Sequence, residues 1–133
     1  MEIDDVFLNH LNEFINSREQ IYFTNQTKIC YFVVERIYKR VLNNYYFGGV
    51  KIDFNENIII DGNHRFIAYS LAGCEFEKIP TIKNFCDTPP YKEFKNITVD
   101  ITNDWDLNNP KTKKYCDDKF LEDETDEKKY KRH

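Results

Sequence analysis

Ile58-Ile59-Ile60-Asp61-Gly62-Asn63-His64-Arg65-Phe66-Ile67-Ala68-Tyr69-Ser70-Leu71-Ala72-Gly73 reads as a strand that turns directly into a helix. Three consecutive β-branched residues suit a buried strand. Asp61-Gly62 forces a turn. In residues 63–72 Phe66, Ile67, Tyr69 and Leu71 are apolar, and Ala68 and Ala72 permit close packing. Gly73 is a natural C-terminal stop. Lys78 to Ile82 then returns as a short strand, and Pro80 suits an edge or a strand start. On the other side, Val50, Ile52 and Phe54 alternate with Lys51 and Asp53. That is the pattern of a half-buried strand, and Asn55-Glu56-Asn57 supplies the turn behind it.

Further out, the spacing predicts helices near 4–17 and 28–43. Val6, Leu8, Leu11, Phe14 and Ile15 form the first apolar face, with Asp4 or Asp5 as its cap. Ile29, Val33, Ile37 and Val41 form a stripe at four-residue intervals, widened by Phe32, Tyr38 and Leu42. Asn43-Asn44 suit the end of that helix. Ile97, Val99 and Ile101 alternate as one more strand, with Trp105 anchoring it to the core. The expected fold class is α+β, a small mixed β-sheet flanked by helices. Its central strands are expected near 50–54, 58–60 and 79–82. Residues 1–107 are expected to form a single domain. Residues 108–133 are rich in charge and are expected to be a mobile tail adding little to the core.

Of the 133 residues, 41% are hydrophobic and 16% aromatic, enough for a packed core. The formal charge of −4 argues against extended binding to nucleic acid, which needs clustered Lys and Arg. No run of some 18 apolar residues is present, so no membrane span is expected. The acidic start Met1-Glu2-Ile3-Asp4-Asp5 lacks a secretion signal, and a cytoplasmic location is the expectation. Cys30, Cys74, Cys86 and Cys116 form no CxxC pair and read as free thiols.

The strand-to-helix turn is the candidate site. A helix start aims several backbone N–H groups at one point, and the dipole adds positive potential. Such a terminus binds phosphate readily. Gly62 lets a ligand approach the backbone closely. His64 and Arg65 lie on the first turn, where both are candidates to contact the same anion. An imidazolium at position 64 would add charge at lower pH. Asp61 could hold a divalent cation or cap the helix. A purely structural reading stands beside this: Asp61 as cap, His64 on the surface, Arg65 paired to a carboxylate.

The run from Ile58 to Gly73, followed by Ile79-Pro80, resembles the DGxHR-type box of the ParB/sulfiredoxin superfamily. The match covers roughly residues 45–82, and the order of elements extends it back to about 28. The resemblance implies a ParB/sulfiredoxin-like fold with a nucleoside phosphate at the His-Arg helix start. It assigns cofactor binding to Gly62, Asn63, His64 and Arg65, catalytic roles to Asp61, His64 and Arg65, and metal binding to Asp61. The implied cofactors are a nucleoside triphosphate or diphosphate and Mg²⁺. Sulfiredoxin chemistry needs a cysteine just before the His-Arg pair, where this chain has Asn63, and Cys74 lies at the far end of the helix. A partition protein needs a DNA-binding module, which the residues from Lys83 on, few and acidic, are not expected to supply.

Two expectations follow. In the first, this is a small nucleotide-binding protein acting on a phosphate ester or anhydride, as a phosphotransferase or a ParB-like nuclease or NTPase (a hydrolase). Glu35 and Asp53 are then candidates for a further carboxylate, each also explained as an ordinary surface charge. In the second, the domain is a non-catalytic binding or regulatory module, with the charged tail contacting a protein partner, as in a phage or inter-bacterial conflict system.

Overall fold

The computed structural model describes residues 3–17, 22–24, 26–82 and 92–105. They form a mixed α+β fold with three α-helices and two sheets. Helix α1 (Asp5–Ile15) comes first, followed by the short strands β1 (Phe23–Thr24) and β2 (Lys28–Cys30). Helix α2 (Tyr31–Leu42), strands β3 (Val50–Asp53) and β4 (Ile58–Asp61), helix α3 (Asn63–Ala72) and strand β5 (Lys78–Pro80) come next. The described chain ends with β6 (Lys92–Glu93), a 3₁₀ turn (Phe94–Asn96) and β7 (Thr98–Asp100).

The larger sheet has the order β5-β3-β4-β1-β6. Strands β3 and β4 form an antiparallel hairpin, whose turn ends on Asn57 in the left-handed region at φ 56°. Strand β1 lies parallel to β4, and β5 parallel to β3. The smaller sheet is the parallel pair β2-β7. Strand β5 is therefore an edge strand, not one of the central three. Pro80 explains the position, since it lacks the N–H that a second neighbour would need.

The helices form where their ends are signalled. Asp4 caps α1, its Oδ1 accepting from the N–H groups of Val6 (3.0 Å) and Phe7 (3.2 Å). Gly73 ends α3 at φ 67°, the left-handed stop that glycine adopts without steric cost. Helix α2 starts only at Tyr31, because Lys28–Cys30 pair with β7 instead of extending the helix. On α1 the buried residues are Phe7, Leu11 and Ile15, while Val6 is 81% exposed. The apolar face thus starts one residue later than the sequence reading placed it. Leu8 and Phe14 sit at its partly buried margin.

The core joins Leu11 of α1 with Val34, Ile37 and Val41 of α2, Ile52 and Ile59 of the sheet, and Ile67 and Tyr69 of α3. Tyr69 also fixes the entry to β3. Its hydroxyl donates to Gly48 O (2.8 Å) and accepts from Phe47 N–H (3.0 Å), so the buried ring leaves no polar atom unmatched. Cys30 and Cys74 are buried free thiols. Among the described residues no helix is long and apolar enough to cross a membrane. Cys86, Cys116 and the tail from residue 108 onward lie outside the described residues.

Candidate functional site

The parallel pairing of β1 with β4 sets up the site. Phe23 stands opposite Ile58 and Thr24 opposite Ile59, so both strands run out at the same end of the sheet. Helix α3 begins directly beyond β4. The carboxyl ends of neighbouring parallel strands, next to a helix N-terminus, are where open α/β sheets bind their ligands.

Gly62 is the residue that makes the turn. It holds the N-cap position of α3 at φ 98°, and no side chain caps this terminus. Asp61 is therefore not the cap; it is the last residue of β4. Its carboxylate lies 3.9 Å from Arg65 Nη2, with Asp61 64% and Arg65 12% exposed in their side chains. The guanidinium folds back over Gly62. A Cβ on that glycine would stand 2.8 Å from Arg65 Nη2. The positive φ is what favours glycine here, and a Cβ would in addition displace the arginine tip. Gly62→Ala is expected to cost about 1–2 kcal/mol from the backbone alone, and to push Arg65 aside. A melting curve should show a drop of several degrees. An unchanged melting temperature would mean that the turn relaxes at no cost.

Asn63 is only 3% exposed. Its Oδ1 accepts from the Thr24 hydroxyl (2.6 Å), which in turn accepts from Gln26 N–H (3.1 Å). The Asn63 side chain thus latches the end of β1 to the start of α3 and holds the two loops at one level. Any contact to a ligand from this position comes from its backbone. Thr24 was not legible as a site residue, because its partner lies 39 residues away.

His64 has a position the sequence did not suggest. Its Nε2 accepts from the backbone N–H of Cys30 (2.9 Å), the N-cap residue of α2. Its ring meets Trp105 edge-on at 5.4 Å. Trp105 is held in turn by Asp100, whose Oδ2 accepts from the indole N–H (2.9 Å). Asp100 Oδ1 also accepts from Thr102 N–H, the Thr102 hydroxyl and Asn103 N–H. These donors, the indole first, hold the Asp100 carboxyl far below the usual carboxylate range. Cys30 Sγ donates to Asn103 O (3.2 Å), and burial pushes its thiol up. Beside them Asp104, 1% exposed, pairs with Arg36 of α2 through both carboxylate oxygens. His64 and Arg65 thus face different structures: Arg65 lies over the β4–α3 turn, and His64 ties α3 to α2 and the 100–105 segment.

The other carboxylates are elsewhere. Register places Asp61 opposite Lys51 and Asp53 opposite Ile58, at opposite ends of the β3–β4 hairpin. Three residues of strand separate them, about 10 Å, so they form no metal pair. Asp53 instead accepts from Asn55 N–H within its turn. Glu35 accepts from the Tyr31 hydroxyl (2.6 Å) and faces Lys39 (3.6 Å). It thereby raises the Tyr31 pKa further, beyond what burial does. A groove of about 360 Å³ runs along α2 past Phe32, Glu35, Arg36, Lys39, Arg40 and Asn43, and includes no residue of the α3 start. Among the described residues no three His, Cys, Asp or Glu side chains cluster as a metal site. Mg²⁺ commonly takes one or two carboxylates plus phosphate oxygens and water. Asp61, exposed at the strand end, fits as a single ligand of that kind.

No family model matches this chain, and the searches of curated proteins and of solved structures return no significant match.

Proposed function

We propose that the chain is a nucleotide-binding protein of the ParB/sulfiredoxin-like type, taking a phosphate group at the start of α3. The observation that carries this reading is the turn itself. Gly62, at φ 98°, opens α3 without a side-chain cap, beside the carboxyl ends of two parallel strands and under the Arg65 guanidinium. An uncapped helix start offers N–H donors and positive potential to an anion. Arg65 adds a planar fork that matches phosphate oxygens. Asp61 would give one carboxylate to a Mg²⁺ arriving with the phosphates, and the ion would neutralise charge as a phosphoryl group transfers. In this reading the protein acts on a phosphate ester or anhydride.

A second reading is favoured by one feature. His64 Nε2 is engaged by a backbone N–H, and Asp61 faces Arg65. Neither is set up as a general base. A module that binds a nucleotide and responds to it, without turning it over, needs no such base.

Thermal shift with a panel of nucleotides, with and without Mg²⁺, tests the shared part. A ligand at a hundred times its Kd stabilises the native state by about 2.7 kcal/mol. For a domain of this size that is a rise on the order of 10 °C. No shift with any nucleoside di- or triphosphate would remove the nucleotide reading. A shift without turnover would select the module.

A further inference from the structure

We infer that His64 is a positioning residue that works as a neutral acceptor, so that its protonation uncouples the α3 anion site from α2 and weakens anion binding. The inference deepens the phosphate reading and rests on it only for the ligand. Its basis is the direction of one hydrogen bond. Cys30 N–H donates to His64 Nε2 at 2.9 Å, which requires that nitrogen to carry no proton. A proton there would set two N–H groups against each other, so the ring would have to leave Cys30. Cys30 is wholly buried, and its N–H has no solvent to turn to.

The charged and titratable groups on the elements packed against the ring have partners of their own. From β2 the Cys30 thiol donates to Asn103 O. From the segment after β7, Asp100 is engaged by the Trp105 indole, and Asp104 by Arg36 of α2. Along α3 itself the adjacent charge is Arg65, a second cation, which faces Asp61 of β4. Asp104 is thus paired with a cation, and Asp100 is held by neutral donors. The sign of the pH effect is thus opposite to that of a histidine contacting phosphate as an imidazolium. Such a contact tightens on acidification; this strut loosens.

Trp105 is the only tryptophan in the sequence and lies edge-on to the ring, so its fluorescence reports the site without a label. The experiment follows it from about pH 8 to pH 5, the range in which histidine ordinarily titrates. Hydrogen exchange at the Cys30 amide is followed in parallel. In the wild type a one-proton fluorescence step is expected. With it, Cys30 exchange, corrected for its intrinsic rate, should speed up by roughly ten-fold, as expected when one hydrogen bond is lost. His64→Gln places a non-titrating acceptor near Nε2 and should keep the protection while removing the step. Sulfate, whose charge is constant over this range, is the anion probe. Its affinity should fall on acidification in the wild type and stay level in His64→Gln. Unchanged Cys30 protection across the titration, an equal step in His64→Gln, or tighter sulfate binding at low pH in the wild type alone would overturn the inference. Absence of sulfate binding at every pH would count against the anion site, and the ligand-free exchange data would still decide the strut.

Discussion

Asp104→Ala is expected to lower stability by about 3–5 kcal/mol, the cost of removing one partner from a buried ion pair. The carboxylate is 1% exposed and takes two hydrogen bonds from Arg36 on α2. The Arg36 side chain is itself only 20% exposed. Without Asp104 the guanidinium loses both hydrogen bonds it makes to that carboxylate. The loss reaches the site, because the same segment carries Asn103 against Cys30 and Trp105 against His64. Urea unfolding followed by Trp105 fluorescence measures it. A double change, Arg36→Met with Asp104→Leu, should recover most of the stability, since apolar replacement of a whole buried pair is often neutral. A loss below about 1 kcal/mol in Asp104→Ala is the range of exposed pairs and would mean that water reaches this one.

The unit from β4 to β5 was legible because each boundary is marked by its own residue. Asp61-Gly62 stops the strand, Gly73 stops the helix, and Pro80 marks the edge. Residues 22–30 were not legible. Strand β1 has two residues and β2 three, too short for alternation to show. Ile29 also continues the four-residue stripe of Val33, Ile37 and Val41, which drew the helix reading back to residue 28. What decides against helix there is the pairing with β7, some 70 residues away in the chain. Local periodicity carries no trace of such a partner.

The candidate site divides in the same way. Gly62, Arg65 and Asp61 lie within one turn of chain, and their proximity follows from local geometry. The alternative in which Asp61 caps the helix is excluded for a conformational reason. Gly62 takes the N-cap position, leaving the aspartate one residue outside the helix. Cys30 lies 34 residues from the ring that accepts its N–H, and Trp105 is further still along the chain. Spacing within a motif cannot show that a histidine's acceptor nitrogen is engaged by the backbone of another helix.

Arg65→Ala is expected to weaken nucleotide binding by roughly ten- to a hundred-fold, matching the 1.5–3 kcal/mol of a hydrogen bond to a charged group. The pair it forms with Asp61 contributes little to stability, because Asp61 is 64% exposed and exposed pairs give about 0.2–1 kcal/mol. The buried stem is a separate matter, since the arginine side chain is only 12% exposed and its methylenes pack as an apolar chain does. Arg65→Met separates the two contributions, because it keeps the stem and removes the fork. Binding should fall as far in Arg65→Met as in Arg65→Ala, while the melting temperature stays close to the wild type. Arg65→Lys should recover only part of the affinity, as an ammonium supplies charge without the bidentate geometry. Asp61→Asn then tests the cation. Where Asp61 ligates Mg²⁺, this variant loses the Mg²⁺ dependence of binding. Where Asp61 acts only on Arg65, the Mg²⁺ dependence is unchanged. Full affinity in Arg65→Met, together with a sharp fall in melting temperature, would make Arg65 a structural residue covering Gly62, and the phosphate site would have to be placed elsewhere.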